Sequence, residues 1–448
     1  MNEQHAGWWP QLNKEQKLIF VVACLAWLFD CLDQSLFNLA RAPAMASLLR
    51  PDQIPNSKFF AGLATTFFVL GWATGGMIFG SMGDKFGRAK MLGLCVLMYS
   101  ITTGLTAFSK HFADFAAYLF VTGLSIGGVF GLAVALIADS LPDSARPRAL
   151  GALQTFSAVG NISAGLIGLG VSQMKVGPGY WKWLFVIGAL PALLTAIIQW
   201  RLKEPQRWVE ARAKAGKKAG SYRELFGHPT WRKHALIGML LCCAGVIGLW
   251  GIGVFSNDMV GDVVTMTYTK LGLPAAAIGA KKQMWVAINL IGFNVGAYFG
   301  LLVFTRATVR WGRKKAFATA SLAALIVTNF VFRSLRSTTD ILWMAPMLGF
   351  AQLSVFAGYS IYLPELFPTR LRSTGTSYCY NVGRYLAATG PFTLGTLAMH
   401  LARNAGTEIN AKIDAFRNAT SLMSVVFLLG IVVLPFLPET KDKPLPEG

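Results

Sequence analysis

The apolar residues of this chain fall into long blocks rather than into short alternating runs. Many reach the ~20 residues that a helix needs to cross a bilayer. Twelve can be marked: 17–40, 59–80, 89–108, 112–138, 150–173, 182–201, 235–256, 284–304, 315–335, 340–363, 376–399 and 419–437. Hydrocarbon offers backbone amides no water, so only helices and closed barrels span it, and continuous blocks of this length select helices. Charged residues make up 14% of the chain and the mean hydropathy is +0.48, whereas soluble domains carry roughly a quarter charged residues. The expectation is an all-α polytopic membrane protein with twelve transmembrane helices. The first block follows a polar lead of 16 residues and no small-residue cleavage site comes after it, so it reads as a retained span and not as a signal peptide.

The net charge of +20 raises nucleic acid as a partner, but its distribution argues for topology. If the N-terminus is cytoplasmic, 26 of the 41 Lys and Arg residues fall on that side, ten of them in 201–233. That bias predicts cytoplasmic N- and C-termini in an inner or plasma membrane. The basicity then serves orientation and contact with anionic membrane lipids rather than nucleic acid. All six cysteines lie inside apolar blocks, where they read as small buried hydrophobes. No Cys or His spacing suits a metal, and no phosphate-binding loop of the ATPase type is present. Gly123–Gly127 reads GLSIG, matching the hydrolase nucleophile pattern. That chemistry needs a strand–turn–helix setting and a His base, and here the Ser sits in an apolar helix. Neither an enzyme nor a bound cofactor is expected.

The most basic connector lies near the midpoint, which suggests an internal repeat. Gly87-Arg88 and Gly312-Arg313 are 225 residues apart, and Asp139 and Glu365 are 226 apart. The expected organisation is a cytoplasmic N-terminus (1–16), a six-helix bundle (17–201), a basic linker (202–234), a second six-helix bundle (235–437) and a cytoplasmic tail (438–448).

GSMGDKFGRAK (Gly80–Lys90) resembles the signature between helices 2 and 3 of the major facilitator superfamily. WKWLFVIGALPALL (Trp181–Leu194), EPQRW (Glu204–Trp208), ELFPTRLRSTG (Glu365–Gly375), YNVGR (Tyr380–Arg384) and PET (Pro438–Thr440) are similar to its sugar-porter and metabolite:proton symporter branches. The resemblance implies two six-helix bundles enclosing a central cavity that opens alternately to each side, in a carrier that works as a monomer. It also implies a cytoplasmic gate formed by Gly80, Asp84, Lys85, Gly87 and Arg88, with Asp139, Arg148, Glu365, Arg370 and Arg372 as its charge network. The second copy of the motif has Val309 where the first has Asp84, so a latch is expected in one half only. DCLD (Asp30–Asp33) resembles the D-G-x-D of helix 1 in aromatic-acid and sialate symporters. Their helix-4 charges are replaced here by Leu119 and Val129, which leaves coupling, if protons are coupled, to helix 1.

Asp30 and Asp33 are three residues apart in an apolar run. On a helix they share a face, and ionising both in low dielectric is costly. They are candidate proton sites; the alternative is a polar clamp between helices. Arg384 is the one cation well inside a block, an expensive placement that marks a functional group or a packing ion pair. Gln154, Asn161, Asn289, Tyr359 and Asn381 are polar groups in blocks that could meet a solute or bond across helices. The favoured reading is a secondary transporter for a small organic anion: a monocarboxylate, an aromatic acid or a sugar acid, with a proton gradient as the candidate driving force. A neutral sugar or polyol porter, or a receptor built on the same fold, stays open.

Overall fold

The computed structural model describes residues 7–173, 179–199, 202–253, 256–387 and 409–446. The described residues are helical throughout and contain no strand. The helices run α1 (Lys14–Leu48), α2 (Ser57–Phe86), α3 (Arg88–Thr106), α4 (Phe112–Ser140), α5 (Arg146–Gln173), α6 (Trp181–Gln199), α7 (Gln206–Ala215), α8 (Tyr222–Gly227) and α9 (Pro229–Ile247). They continue as α10 (Ser256–Lys270), α11 (Ala275–Trp311), α12 (Arg313–Ser334), α13 (Thr338–Tyr362), α14 (Arg372–Ala387), α15 (Ile409–Met423) and α16 (Val426–Val432). Nine stretches among the described residues are long and apolar enough to cross a membrane. The predicted span at 235–256 is interrupted by a π-turn at Gly248–Ile252. Parts of the spans predicted at 182–201, 235–256 and 376–399 lie outside the described residues.

The chain forms two compact units. One comprises Met1–Met239, Tyr359–Val382 and Thr440–Gly448; the other comprises Leu240–Gly358 and Gly383–Glu439.

In the first unit, α1 begins with a capping box. The Gln16 amide donates to Asn13 Oδ1 at 2.8 Å, and the Asn13 amide donates to Gln16 Oε1 at 3.1 Å, satisfying two donors that a helix start leaves open. α2 and α4 approach closely where neither carries a side chain. A Cβ on Gly75 would lie 1.7 Å from the Leu124 carbonyl oxygen, and one on Gly127 would lie 2.1 Å from that of Trp72. Small residues are the means of such contact between membrane helices. α5 meets α1 in the same way at Gly160, over the Leu28 carbonyl.

The linker is ordered as α7 and α8 and lies on the end of α2. Trp208 Nε1 donates to the Asp84 carbonyl at 3.1 Å and Arg212 Nε to that of Lys85 at 2.9 Å. These are carbonyls that a helix C-terminus leaves without an internal donor. Ser81 Oγ donates to the Gly220 carbonyl, and Tyr222 Oη to that of Met77.

In the second unit, the turn between α11 and α12 repeats that between α2 and α3. Gly312 has φ +92° and Gly87 has φ +117°, a region that favours glycine.

Candidate gate and transport site

Asp84 and Arg88 flank the turn between α2 and α3, one helical turn apart, and both are fully buried. Arg88 Nη2 donates to Asp84 Oδ1 at 3.0 Å and to the Thr369 carbonyl at 2.5 Å. Asp84 also receives the first amides of α14. The Ser373 amide lies 3.2 Å from Oδ1; the Thr374 amide and hydroxyl lie 2.8 and 2.7 Å from Oδ2. A carboxylate there satisfies open N–H groups and complements the positive end of the helix dipole. Asp139, at the end of α4, pairs with Arg88 and with Arg372. Arg372 in turn donates to the Pro364 carbonyl at 3.0 Å. Two carboxylates and two guanidinium groups thus neutralise one another where each alone would carry a heavy desolvation penalty.

The remaining candidates at this end are placed as follows. Arg370 pairs with Glu224 of α8 at 3.0 Å, and its carbonyl accepts from the Gly220 amide. Glu365 Oε2 accepts from Thr440 Oγ1 at 2.5 Å. Gly80 leaves room for Ser377, whose Cβ would lie 2.4 Å from an added methyl. Lys85 contributes its carbonyl to Arg212. Arg148 is exposed and is not among the partners of the cluster.

Sequence reasoning missed Glu204. Its carboxylate accepts from the Arg88, Ala89 and Lys90 amides at 2.7, 3.2 and 3.0 Å, capping α3. In the second unit Glu439 accepts from the Arg313 and Lys314 amides at 3.0 and 3.1 Å, capping α12. A Glu beside Pro soon after the last span of each half was the available signal: Glu204-Pro205 and Pro438-Glu439.

Within the apolar part of the first unit, Asp30 and Asp33 are 1% and 3% exposed. Asp33 Oδ2 accepts from Thr103 Oγ1 of α3 at 2.7 Å. Its Oδ1 takes no hydrogen bond among the described residues and faces Gly188 of α6, where a Cβ would stand 3.1 Å away. Asp33 is therefore held on the α3 and α6 side of α1. Trp27 and Gln34, seven residues apart, share another face of that helix. The Trp27 ring meets Phe130 of α4 at 5.1 Å, Phe130 stacks on Tyr380 at 3.8 Å, and Tyr359 meets Tyr380 edge-on at 6.3 Å. Asn161 on α5 accepts from Ser35 at 2.8 Å. Gln154 lies two turns before it on the same face. Trp27 Nε1, Gln34 Nε2 and Gln154 Oε1 are buried and take no hydrogen bond among the described residues. Asn381 donates to the Ser377 carbonyl at 2.9 Å and seats itself over Gly76. Leu119 and Val129 are buried and apolar.

In the second unit, Asn289 of α11 donates to Ser256 Oγ at 3.2 Å and Asn257 Oδ1 at 2.8 Å, holding the start of α10 after the helix break. Arg384 is 3% exposed on the C-terminal half of α14. No cluster of three or more His, Cys, Asp or Glu suited to a metal occurs among the described residues.

The sequence profile described as "Major Facilitator Superfamily" matches residues 23–280, more than half of the chain. The chain belongs to the major facilitator superfamily. A second profile, "Sugar (and other) transporter", matches residues 213–447. The chain is similar to the sialic acid transporter of Escherichia coli (strain K12), with 27% identity over 410 residues, 90% of this chain and 92% of that protein. It is similar to the cis,cis-muconate transport protein of Acinetobacter baylyi, with 25% identity covering 85% and 87% of the two chains. A solved proton:xylose symporter shares the fold, with TM-score 0.74 and 17% identity over 96% of this chain and 98% of that one. This major facilitator protein is an integral, multi-pass membrane protein and a secondary transporter of a small organic solute.

Proposed function

We propose that this transporter moves an organic anion (a monocarboxylate, an aromatic acid or a sugar acid) by alternating access, as a carrier rather than as an enzyme and without a bound cofactor. The observation that carries the reading is the buried set of polar groups that take no hydrogen bond among the described residues, Trp27 Nε1, Gln34 Nε2 and Gln154 Oε1. Desolvating a polar group without a bond costs about 1–3 kcal/mol, and a solute with carboxylate and hydroxyl groups returns those bonds. Two relatives, a cis,cis-muconate transport protein and a sialic acid transporter, support an acid. Asn161 and Tyr359 extend the candidate set in the first unit, and Arg384 is a separate candidate in the second, while Asn289 and Asn381 serve mainly to hold α10 and α14.

Asp33, with Asp30 beside it, is the proposed proton-binding carboxyl, and the proton gradient is the proposed driving force. The cluster of Asp84, Arg88, Asp139 and Arg372 is the gate: it pins the start of α14 to α2 and α4, and the cycle needs it to break and re-form. The protein acts as a monomer in an inner or plasma membrane, in contact with anionic lipid, with both termini cytoplasmic.

The test is uptake into proteoliposomes of a panel of labelled acids and sugars, with and without an imposed pH gradient. Concentrative uptake of an acid with an inward proton gradient supports the reading. Uptake of acids that ignores the gradient overturns coupling. The sugar-transporter profile and the likeness to a xylose symporter favour a neutral sugar as second reading; uptake confined to sugars would establish it.

A further inference from the structure

Asp33 lies on the α3 and α6 side of α1. Its carboxyl leans away from the Trp27–Gln34 face and into a pocket closed by α3 and α6. Thr103, itself 1% exposed, gives its hydroxyl to Oδ2 at 2.7 Å. Oδ1 carries no hydrogen bond among the described residues and faces the bare backbone of Gly188. No guanidinium or ammonium of the described residues is bonded to it. The titratable groups facing it are few. Among the described residues, Tyr99 on α3 lies within electrostatic range of Asp33 and Asp30, and Cys31 on α1 and Cys95 on α3 lie within range of Tyr99. Residues through which the other helices meet α1 are uncharged: Gly188 on α6, Phe130 on α4, Asn161 on α5, and Phe68 on α2 against Phe37.

We propose that Thr103 is the positioning residue for a proton carried on Oδ1 of Asp33, so that a carboxyl–hydroxyl pair rather than an ion pair sets the pH at which this carrier loads its proton. The inference rests on the coupling reading above. The hydroxyl keeps Oδ2 occupied as an acceptor in both protonation states, which directs the incoming proton to Oδ1. Gly188 leaves room for the O–H. Because a donor to a carboxylate favours the charged form, Thr103 lets Asp33 release its proton at lower pH than an apolar neighbour would.

The decisive measurement is infrared difference spectroscopy of the purified, solute-free transporter across pH. The carboxylic-acid C=O band that Asp33→Asn removes reports Asp33 directly. In Thr103→Val the midpoint of that band is expected to move up by about one pH unit, the size of a lost hydrogen bond to a charged acceptor. Thr103→Ser is expected to restore it, because it keeps the hydroxyl while changing the packing. A midpoint unchanged in Thr103→Val, or a shift that Thr103→Ser shares, overturns the assignment. Should the band behave as expected while uptake ignores the pH gradient, the coupling reading falls and the Thr103–Asp33 pair stands.

Discussion

Asp139 pairs with two arginines in a site closed to solvent, so its charge has no substitute nearby except Asp84. Replacing it with Asn leaves two buried guanidinium groups facing one carboxylate. Breaking a buried pair from one side costs about 3–5 kcal/mol. Asp139→Asn is therefore expected to melt at clearly lower temperature in detergent than the parent, and equal melting would show that the cluster is hydrated and weak. Asp143, in the adjacent loop, behaves differently. Burial works against its charge, but Arg146 and Arg207 outweigh that and hold its carboxyl below the usual carboxylate range. A depressed native value means the stabilisation is complete above the unfolded value, about pH 4, and is lost as pH falls through the native one. Contact between α7 and this loop, read as energy transfer between dyes on the two segments, is expected to persist from neutrality to about pH 4 and to fail only below it. Asp143→Asn should lose the contact at all pH values.

The two glutamate caps are a device of elements. Glu204 holds three amides at the start of α3 and Glu439 two at the start of α12. Loss of an N-terminal cap costs roughly 1–2 kcal/mol. Glu204→Ala and Glu439→Ala should each lower stability by about that amount, with Glu204→Ala the larger because it also frees the end of α2 that α7 covers. Equal stability of Glu204→Ala and parent would mean that water replaces the cap without loss.

These caps also mark where the sequence stops being legible. Gly87-Arg88 could be read because a tight turn and a neighbouring cation are local. Glu204 was marked only by its place beside Pro205; its role was not legible, because its partners are over a hundred residues away and only folding joins them. The helices were legible from block length, since hydrocarbon admits little else. The interruption at Gly248–Ile252 was not, because its two glycines, Gly248 and Gly251, in an apolar run are equally consistent with close packing. The pairing of Asp30 and Asp33 on one side of α1 followed from helical spacing. That Asp33 turns towards Thr103 and Gly188 did not, for periodicity fixes which residues share a face and leaves open which neighbour that face meets.

At the scale of the whole molecule, the distribution of Lys and Arg makes a claim about orientation that is independent of any site. With α7 cytoplasmic, the turn between α10 and α11 emerges on the opposite side of the membrane. Leu271 in that turn is 65% exposed, and Lys214 on α7 is exposed as well. All six native cysteines are buried, so the parent should be nearly silent to a membrane-impermeant maleimide and needs no prior removal of thiols. Leu271→Cys is then expected to label in intact cells, and Lys214→Cys only after the membrane is made permeable. The reverse pattern would invert the topology and put the Asp84 cluster at the outer gate. Labelling of both in intact cells would mean that the linker is not held on the cytoplasmic side. Because a cytoplasmic N-terminus would put 26 of the 41 basic residues on one side and each costs energy to translocate, moving a single charge should leave the pattern unchanged. Only a wholesale exchange of basic segments is expected to turn the protein over.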